Sequence, residues 1–384
     1  MSAPKLNVSR RIRATPYTPC VEALGVSGYT VVNHTVLPKG FEKTVEEDYW
    51  HLKEHVQLWD VGCQRQVELR GRDAAKLAQL MTPRSLSNAA VGQCLYAPLV
   101  DDKGAMLNDP IILKLSDDHF WLSIADSDVL LWAKGLAVGM GLDVSIIEPD
   151  VWPLAVQGPK ADDLMAKVFG KTVRGIRFFR FAWLDFCGHQ LLVARSGYSK
   201  QGGFEIYLDK PDLGVQLWSA LWEAGIEFNV SLGSPNLIER VEGGLLSYGN
   251  EMTVENNPLE CGLDQYCTLD GSVDFIGYKA LRAIAKIGPE RRIRGIIFDG
   301  PSCPPCQYPW PIRKEGAQST EAIGKVTTAI WSPRFENNVA LAMIEKGNWS
   351  AGTKVLVESG DGFVRNGVVT ELPMLNNSLE VLQR

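Results

Sequence analysis

Apolar residues change their spacing from one stretch of this chain to the next, and the changes predict its elements. Val45, Tyr49, Leu52, Val56 and Trp59 recur at helical spacing behind acidic residues, which predicts a helix over residues 44–58. A strand follows over 66–70, and a helix begins near Arg72. Between residues 93 and 124 short strands alternate with turns, the clearest being Asp101-Asp102-Lys103-Gly104. Ser127 caps a predicted helix that runs toward Gly139. Another strand and a Gly158-Pro159 bend lead into a helix over 160–168, and further helices are expected over 211–226 and 234–248. The first 40 residues read as turn-rich, and from Gly288 onward the pattern is strand-rich, with runs at 293–298, 322–328, 339–343, 355–357 and 364–369.

This alternation gives an α+β body, not strict βαβ winding, and the regular C-terminal strands suggest a small barrel or sandwich. At 384 residues the chain exceeds one ordinary core, so two or three domains are expected. Its net charge of -6 argues against a nucleic-acid partner held by bulk charge. No apolar run approaches the roughly 18 residues that span a bilayer, so no membrane partner is expected. The N-terminus lacks the apolar core of a secretory leader, although Arg10, Arg11 and Arg13 faintly resemble a transit peptide. Eight scattered cysteines do not form a disulfide framework, and reduced thiols in a cytoplasmic protein are the default.

Two short patterns carry little. Cys303-Pro-Pro-Cys306 has redox or metal spacing, but it lacks a second pair and a βαβ context, so a plain loop is the better reading. His51-Leu-Lys-Glu54-His55 would put two histidines on one helix face, yet no third ligand stands out, and no metal is expected. The chain has no Walker A sequence, no nucleophile elbow and no dinucleotide fingerprint.

Four segments bring polar groups beside glycine or proline. Tyr96 precedes the Asp101–Gly104 turn, and Asn108-Asp109-Pro110 follows it, so Tyr96 and Asp109 can come close on paired strands. Arg195-Ser-Gly-Tyr-Ser-Lys-Gln-Gly-Gly-Phe-Glu-Ile-Tyr207 is two β-type runs around a bend that delivers Tyr198, Lys200 and Glu205, with glycines 197, 202 and 203 allowing turns and close ligand approach. Asn236-Leu-Ile-Glu-Arg240-Val-Glu242 runs into Ser247-Tyr248-Gly-Asn-Glu251. Each segment alone reads equally as a hairpin, a cap or surface charge.

In order and spacing these segments resemble the folate-dependent aminomethyltransferase family, the glycine cleavage T-proteins. Met106-Leu-Asn-Asp-Pro-Ile-Ile is similar to the family's Ile-Leu-Asp-Asp-Leu-Ile-Val strand, with Asp109 on the functional Asp. The 195–206 stretch is similar to Arg-Thr-Gly-Tyr-Thr-Gly-Glu-Asp-Gly-Phe-Glu-Ile, which puts Glu205 on a folate-contacting Glu. Arg240-Val-Glu, Tyr248-Gly-Asn-Glu-Met, Asn257-Pro-Leu-Glu260, Gln157-Gly-Pro, Ile323-Gly-Lys-Val-Thr and Ser332-Pro333 match further family motifs. Asn108, Asn236 and Phe179 depart from the family pattern, and Arg11-Ile-Arg-Ala-Thr-Pro-Tyr17, Gly28-Tyr-Thr-Val-Val-Asn-His34 and Ser196-Gly-Tyr-Ser-Lys-Gln-Gly202 resemble its dimethylsulfoniopropionate demethylase branch. Tyr198 stands where that branch is expected to carry Trp.

The resemblance implies two mixed α/β domains around a central folate cavity plus a C-terminal small β-barrel. Its expected boundaries are 1–150 with 234–288 for the folate-binding domain, 151–233 for a second, ferredoxin-like α+β domain, and 289–384 for the barrel. It implies tetrahydrofolate as methyl acceptor, with Asp109 catalytic and Tyr96, Asp109, Glu205, Arg240 and Tyr248 on the folate. It further implies a small sulfonium donor near Tyr29, His34, Tyr198, Lys200 and Tyr207. No lipoyl carrier protein is expected, and a homodimer stays open. The rival readings are a carrier-dependent aminomethyltransferase, a demethylase for another onium or methoxy donor, and a folate-binding assembly or regulatory protein without catalysis.

Overall fold

The computed structural model describes residues 8–316 and 321–374. Residues 1–7, the start of the segment weighed as a leader, and 375–384, the end of the expected barrel domain, lie outside them. The chain divides into two compact units: residues 1–78, 87–96 and 110–236 form the first, and 79–86, 97–109 and 237–384 the second.

The first unit is built on two sheets. One has five strands in the order Ser145–Ile147, Gln66–Arg70, His119–Ser123, Ile111–Ser116, Gln93–Tyr96. The other has six, in the order Phe181–Phe186, His189–Ala194, Gly203–Leu208, Trp152–Gln157, Val56–Asp60, Val230–Leu232, and only its last pair is parallel. Alternation along the six-stranded sheet gives it two apolar faces. Leu154, Val156, Phe204, Ile206 and Leu208 share a core with Leu164 and Met165 of helix Ala161–Phe169 and with Leu217 and Trp218 of helix Gly214–Gly225. On the other face Leu192, Ala194 and Tyr207 meet Cys94, Leu113 and Trp121 of the five-stranded sheet.

Because both faces are covered, Val56–Asp60 is buried at every position. That explains one misreading. The helix expected over 44–58 ends at Glu54, where His55 leaves the helical region (φ -130°, ψ -142°), and the apolar residues beyond it belong to this strand. The helix start is well fixed: the Thr44 side chain accepts from the Glu47 amide, while the Glu47 side chain accepts from the Thr44 amide. The turn-rich beginning contains a hairpin, Gly28–Val32 with Thr35–Gly40, reversed at Asn33 and His34, both with positive φ. The Asn33 amide group donates to the carbonyls of Cys63 (3.1 Å) and Ala125 (3.3 Å), pinning the turn to the unit.

The second unit holds a closed six-stranded barrel in the order Arg291–Phe298, Asn337–Glu345, Gly324–Ser332, Trp310–Lys314, Lys354–Glu358, Val364–Thr370. Its core includes Ile296, Phe298, Trp310, Val326 and Ala342. Trp310–Lys314, short and interrupted by Pro311, gave no strand signal. Helix Leu237–Gly243 is shorter than the 234–248 expected, because Gly244 adopts φ +63° and ends it. Helix Tyr278–Ile287 was not expected; its Leu281 joins Val100, Val273 and Phe275 in a small core. A Cβ on Gly104 would lie 2.7 Å from Leu281 Cγ, so the Asp101–Gly104 turn is seated on this helix. Among the described residues no helix is long and apolar enough to cross a membrane.

Candidate active site

In the first unit, pairing aligns Trp59, Ala155, Glu205, Ala194 and Phe181 in one row across the six-stranded sheet. A second row, Tyr96, Ile111, Ser123 and Gln66, crosses the five-stranded sheet. The cores identify the facing sides of the two sheets, so Tyr96, Glu205 and Tyr207 belong to the same inter-sheet layer. Glu205 is 6% exposed, and small residues flank it in its row. Its carboxylate accepts a hydrogen bond from Ser196 Oγ. Burial pushes its pKa above the ordinary carboxylate value, and the Ser196 bond opposes that push. Such a carboxyl gains from any further donor set against it, which suits a ligand with an N–H edge.

The loop before Glu205 is held from beneath. Gln157 is fully buried and donates to the carbonyls of Ser196 (3.1 Å) and Phe204 (3.4 Å), while Ser199 Oγ donates back to its Oε1 (2.7 Å). A Cβ on Gly197 would lie 2.1 Å from Gln157 Oε1, and one on Gly203 would lie 2.2 Å from the Val156 carbonyl. These two glycines therefore make room for the protein's own atoms, which corrects the ligand-approach reading. Tyr198 is half-buried in the loop, and Lys200 is exposed with φ +57°.

Tyr207 is 1% exposed and packs 6.2 Å from Trp121, between ring centroids. Its burial, then the neighbouring Glu205, holds its pKa well above the ordinary phenol. Tyr29 lies in the hairpin strand with its hydroxyl enclosed and unpartnered in the structure. Desolvation, followed by the carboxylates of Glu22 and Asp60, pushes that hydroxyl to about 12. His34 is exposed at the hairpin turn.

In the second unit, strand Met106–Asn108 carries Asp109 at its end. Asn108 is fully buried and its Oδ1 accepts from the Asp109 amide at 2.9 Å. The Met106 amide donates to the Asn256 carbonyl (2.8 Å), and Tyr248 OH to the Met106 carbonyl (3.4 Å). Burial, then Asp109, raises the Tyr248 pKa, so the two groups share one electrostatic neighbourhood. Arg240 reaches Glu251 with two nitrogens and Thr328 Oγ1 at 3.0 Å. Glu242 accepts from Ser332 Oγ at 2.6 Å. The Arg240-Val-Glu242 motif thus ties its helix to barrel strand Gly324–Ser332.

Sequence reasoning gave no role to Gln157, Glu251 or Asp60. Asp60 is fully enclosed and accepts from Thr15 Oγ1 (2.5 Å) and the Gly62 amide (3.1 Å), yet burial pushes its carboxyl to about 7. Nothing local in the sequence marks Asp60 as buried; Gln157 and Glu251 sat inside recognised motifs but without assigned partners. The two short patterns resolve simply. His51 Nε2 pairs with the Asn229 carbonyl (2.9 Å) and His55 Nδ1 accepts from Lys160 (3.0 Å). The stretch from Cys303 to Cys306 is neither a turn nor a bend, as its two central prolines favour. Among the described residues no three His, Cys, Asp or Glu gather as a metal site.

The chain matches the GCVT N-terminal domain family over residues 18–271 and the glycine cleavage T-protein C-terminal barrel domain family over residues 291–375. It is 54% identical over 354 residues to a dimethylsulfoniopropionate demethylase of Ruegeria pomeroyi, covering 92% of this chain and 95% of that protein. It is 32% identical over 333 residues to an aminomethyltransferase of Symbiobacterium thermophilum, covering 84% and 86%. The glycine cleavage system aminomethyltransferase T of Bartonella henselae superposes with a TM-score of 0.84 over 95% of this chain and 98% of that one, at 22% identity, which speaks to the fold.

Proposed function

This chain belongs to the glycine cleavage T-protein family, and we propose that it is a tetrahydrofolate-dependent demethylase of dimethylsulfoniopropionate. The observation that carries the choice of donor is the near-full-length likeness to the Ruegeria demethylase, well above the likeness to aminomethyltransferases. In this reaction the sulfur–carbon bond to one methyl breaks and a bond from that carbon to N5 of tetrahydrofolate forms. Sulfur keeps the electron pair and N5 loses its proton, so the step is redox-neutral. The products are 5-methyltetrahydrofolate and 3-(methylthio)propanoate.

A sulfonium is already a good leaving group, so the residues have alignment and charge to supply. Holding the reacting atoms in line can remove several kcal/mol of barrier, up to about 7–11 in the best cases. Glu205 fits a pterin edge: it is a buried carboxyl with one side-chain donor and small neighbours in its row. Tyr96 supplies an aromatic wall in the same inter-sheet layer. Asp109 favours positive charge as N5 takes the methyl and then loses a proton. Tyr248 adjoins Asp109, and Arg240 contributes indirectly by fixing Glu251.

For the donor, Tyr29, Tyr198 and Tyr207 are the aromatic candidates, each face worth about 0.5–2 kcal/mol to a cation. Lys200 answers the donor's carboxylate, and His34 flanks the Tyr29 hairpin. No lipoyl carrier enters this scheme, a cytoplasmic setting is part of the same proposal, and light scattering decides between a monomer and a homodimer. The domain division proposed with it is 1–150 with 234–288, 151–233, and 289–384.

The test is direct. Purified protein is given tetrahydrofolate and dimethylsulfoniopropionate, and both products are sought by mass. Product from a betaine or an N-methyl donor alone would replace the donor; folate binding with no product from any donor would favour a non-catalytic role.

A further inference from the structure

Barrel strand Gly324–Ser332 carries a bulge. Its pairing with Asn337–Glu345 slips between Val326, opposite Ala342, and Thr328, opposite Leu341, so Thr327 is the extra residue. The slip changes which side chains face the barrel core. Val326 and Ala329 both lie in that core, although regular alternation would pair Val326 with position 328. Thr328 is thereby turned out of the core, and its hydroxyl donates to Glu251 and accepts from Arg240 Nη2. A carboxylate paired with arginine only accepts and a guanidinium only donates, so the direction of both bonds is fixed.

Glu251 is 2% exposed and also accepts from the Ser247 amide at 2.8 Å. Arg240 in turn donates to the Leu245 carbonyl at 3.2 Å. Thr328, Arg240 and Glu251 thus close the turn from Leu245 to Glu251. The same segment holds both backbone groups of Met106, a fully buried residue three positions before Asp109. The Tyr248 hydroxyl donates to the Met106 carbonyl (3.4 Å), and the Met106 amide donates to the Asn256 carbonyl (2.8 Å). Bulges recur beside active sites, where they re-aim a side chain.

We propose that Thr328 and Glu251 are positioning residues for Asp109. The bulge aims the Thr328 hydroxyl at Glu251, Glu251 closes the turn that carries Tyr248, and Tyr248 and Asn256 fix Met106 and with it the strand end. The consequence for turnover deepens the role of Asp109 given above and rests on it; the hold on Met106 does not.

Thr328→Val keeps the shape of the side chain and removes the hydroxyl, while Thr328→Ser keeps the hydroxyl. In ligand-free protein, deuterium uptake over residues 105–109 should quicken about five- to tenfold in Thr328→Val, the size expected for one hydrogen bond. It should return toward wild type in Thr328→Ser, and uptake over barrel strand Lys354–Glu358 should stay unchanged. Uptake over 105–109 that is unmoved, or that quickens only together with 354–358, overturns the proposal. If Thr328→Val does not fold, Tyr248→Phe puts the same question to the Met106 carbonyl, and unmoved uptake there overturns it equally. In the rate assay kcat should fall about five- to tenfold in Thr328→Val and recover in Thr328→Ser, with the KM for the sulfonium donor changing less. Quickened uptake with an unchanged kcat would overturn the link to Asp109 alone. Wild-type protein that forms no 5-methyltetrahydrofolate would overturn the proposed function, while deuterium uptake still judges the hold on Met106.

Discussion

Arg240 holds Glu251 with both terminal nitrogens, at 2.6 and 3.2 Å, and both residues are buried. A buried pair is a weak source of net stability, but breaking one side strands a charge. Arg240→Ala should therefore destabilise the protein by about 3–5 kcal/mol. Adding Glu251→Ala to that variant should restore part of the loss. Urea denaturation of the two single variants and the double variant measures the coupling; additive losses would contradict it.

Asp109→Ala should cut turnover by at least tenfold, about 1.4 kcal/mol of transition-state stabilisation. Its side chain is half-buried at the end of a strand, so melting temperatures recorded alongside separate lost chemistry from lost stability. Initial rates of 5-methyltetrahydrofolate formation check this, and a near-normal rate would remove Asp109 from the chemistry.

Glu205→Gln keeps the shape of the side chain and removes the charge. If Glu205 accepts from the pterin, tetrahydrofolate should bind this variant about tenfold more weakly, the size of a charged hydrogen bond near 1.5 kcal/mol. The KM for the sulfonium donor should change less. Titration calorimetry with each substrate separates the two outcomes.

A buried Asp60 and a half-buried His51 pull the stability–pH curve in opposite directions. Asp60 rises from an ordinary 3.8 to about 7 on folding, so its contribution is full below pH 3.8 and lost as pH rises through 7. His51 falls from 6.5 to about 4, chiefly through desolvation, so its contribution is present above 6.5 and lost as pH falls through 4. Between pH 4 and 6.5 the two slopes offset one another. Asp60→Asn should expose a stability that rises with pH across this window, and His51→Gln one that falls. Chemical denaturation at pH 4.5, 5.5 and 6.5 reads both signs.

Gly197→Ala should destabilise by about 2 kcal/mol or more, since backbone strain and overlap act together. Its φ is +149°, and the new Cβ would meet a Gln157 side chain that is buried and fixed by its own hydrogen bonds. Pairing it with Gln157→Ala should recover part of the loss in the same denaturation assay.

Much of the fold was legible because many elements carry a local signature. The amphipathic helix Ala161–Phe169 and the regular C-terminal strands announce themselves by spacing alone. Val56–Asp60 did not, because a strand covered on both faces loses the two-residue alternation and here happened to continue a helical spacing. At the candidate site, resemblance picked out Glu205 and Asp109. What it could not supply were partners far away in sequence: Gln157 for the glycines at 197 and 203, and Thr328 for Arg240. Those follow only from strand register and packing.

The bend from Ser196 to Gly203 is secured by Gln157, by Ser199 and by two positions, 197 and 203, that admit no Cβ. On the proposed reading, in which the exposed Lys200 faces the donor, closure of the bend and that contact fall to different positions within it. A duplicated copy of this gene can change the exposed side chain at 200, within the unbranched residues that its positive φ tolerates, while Gln157 still closes the bend, so divergence toward other methyl donors is open to small mutational steps.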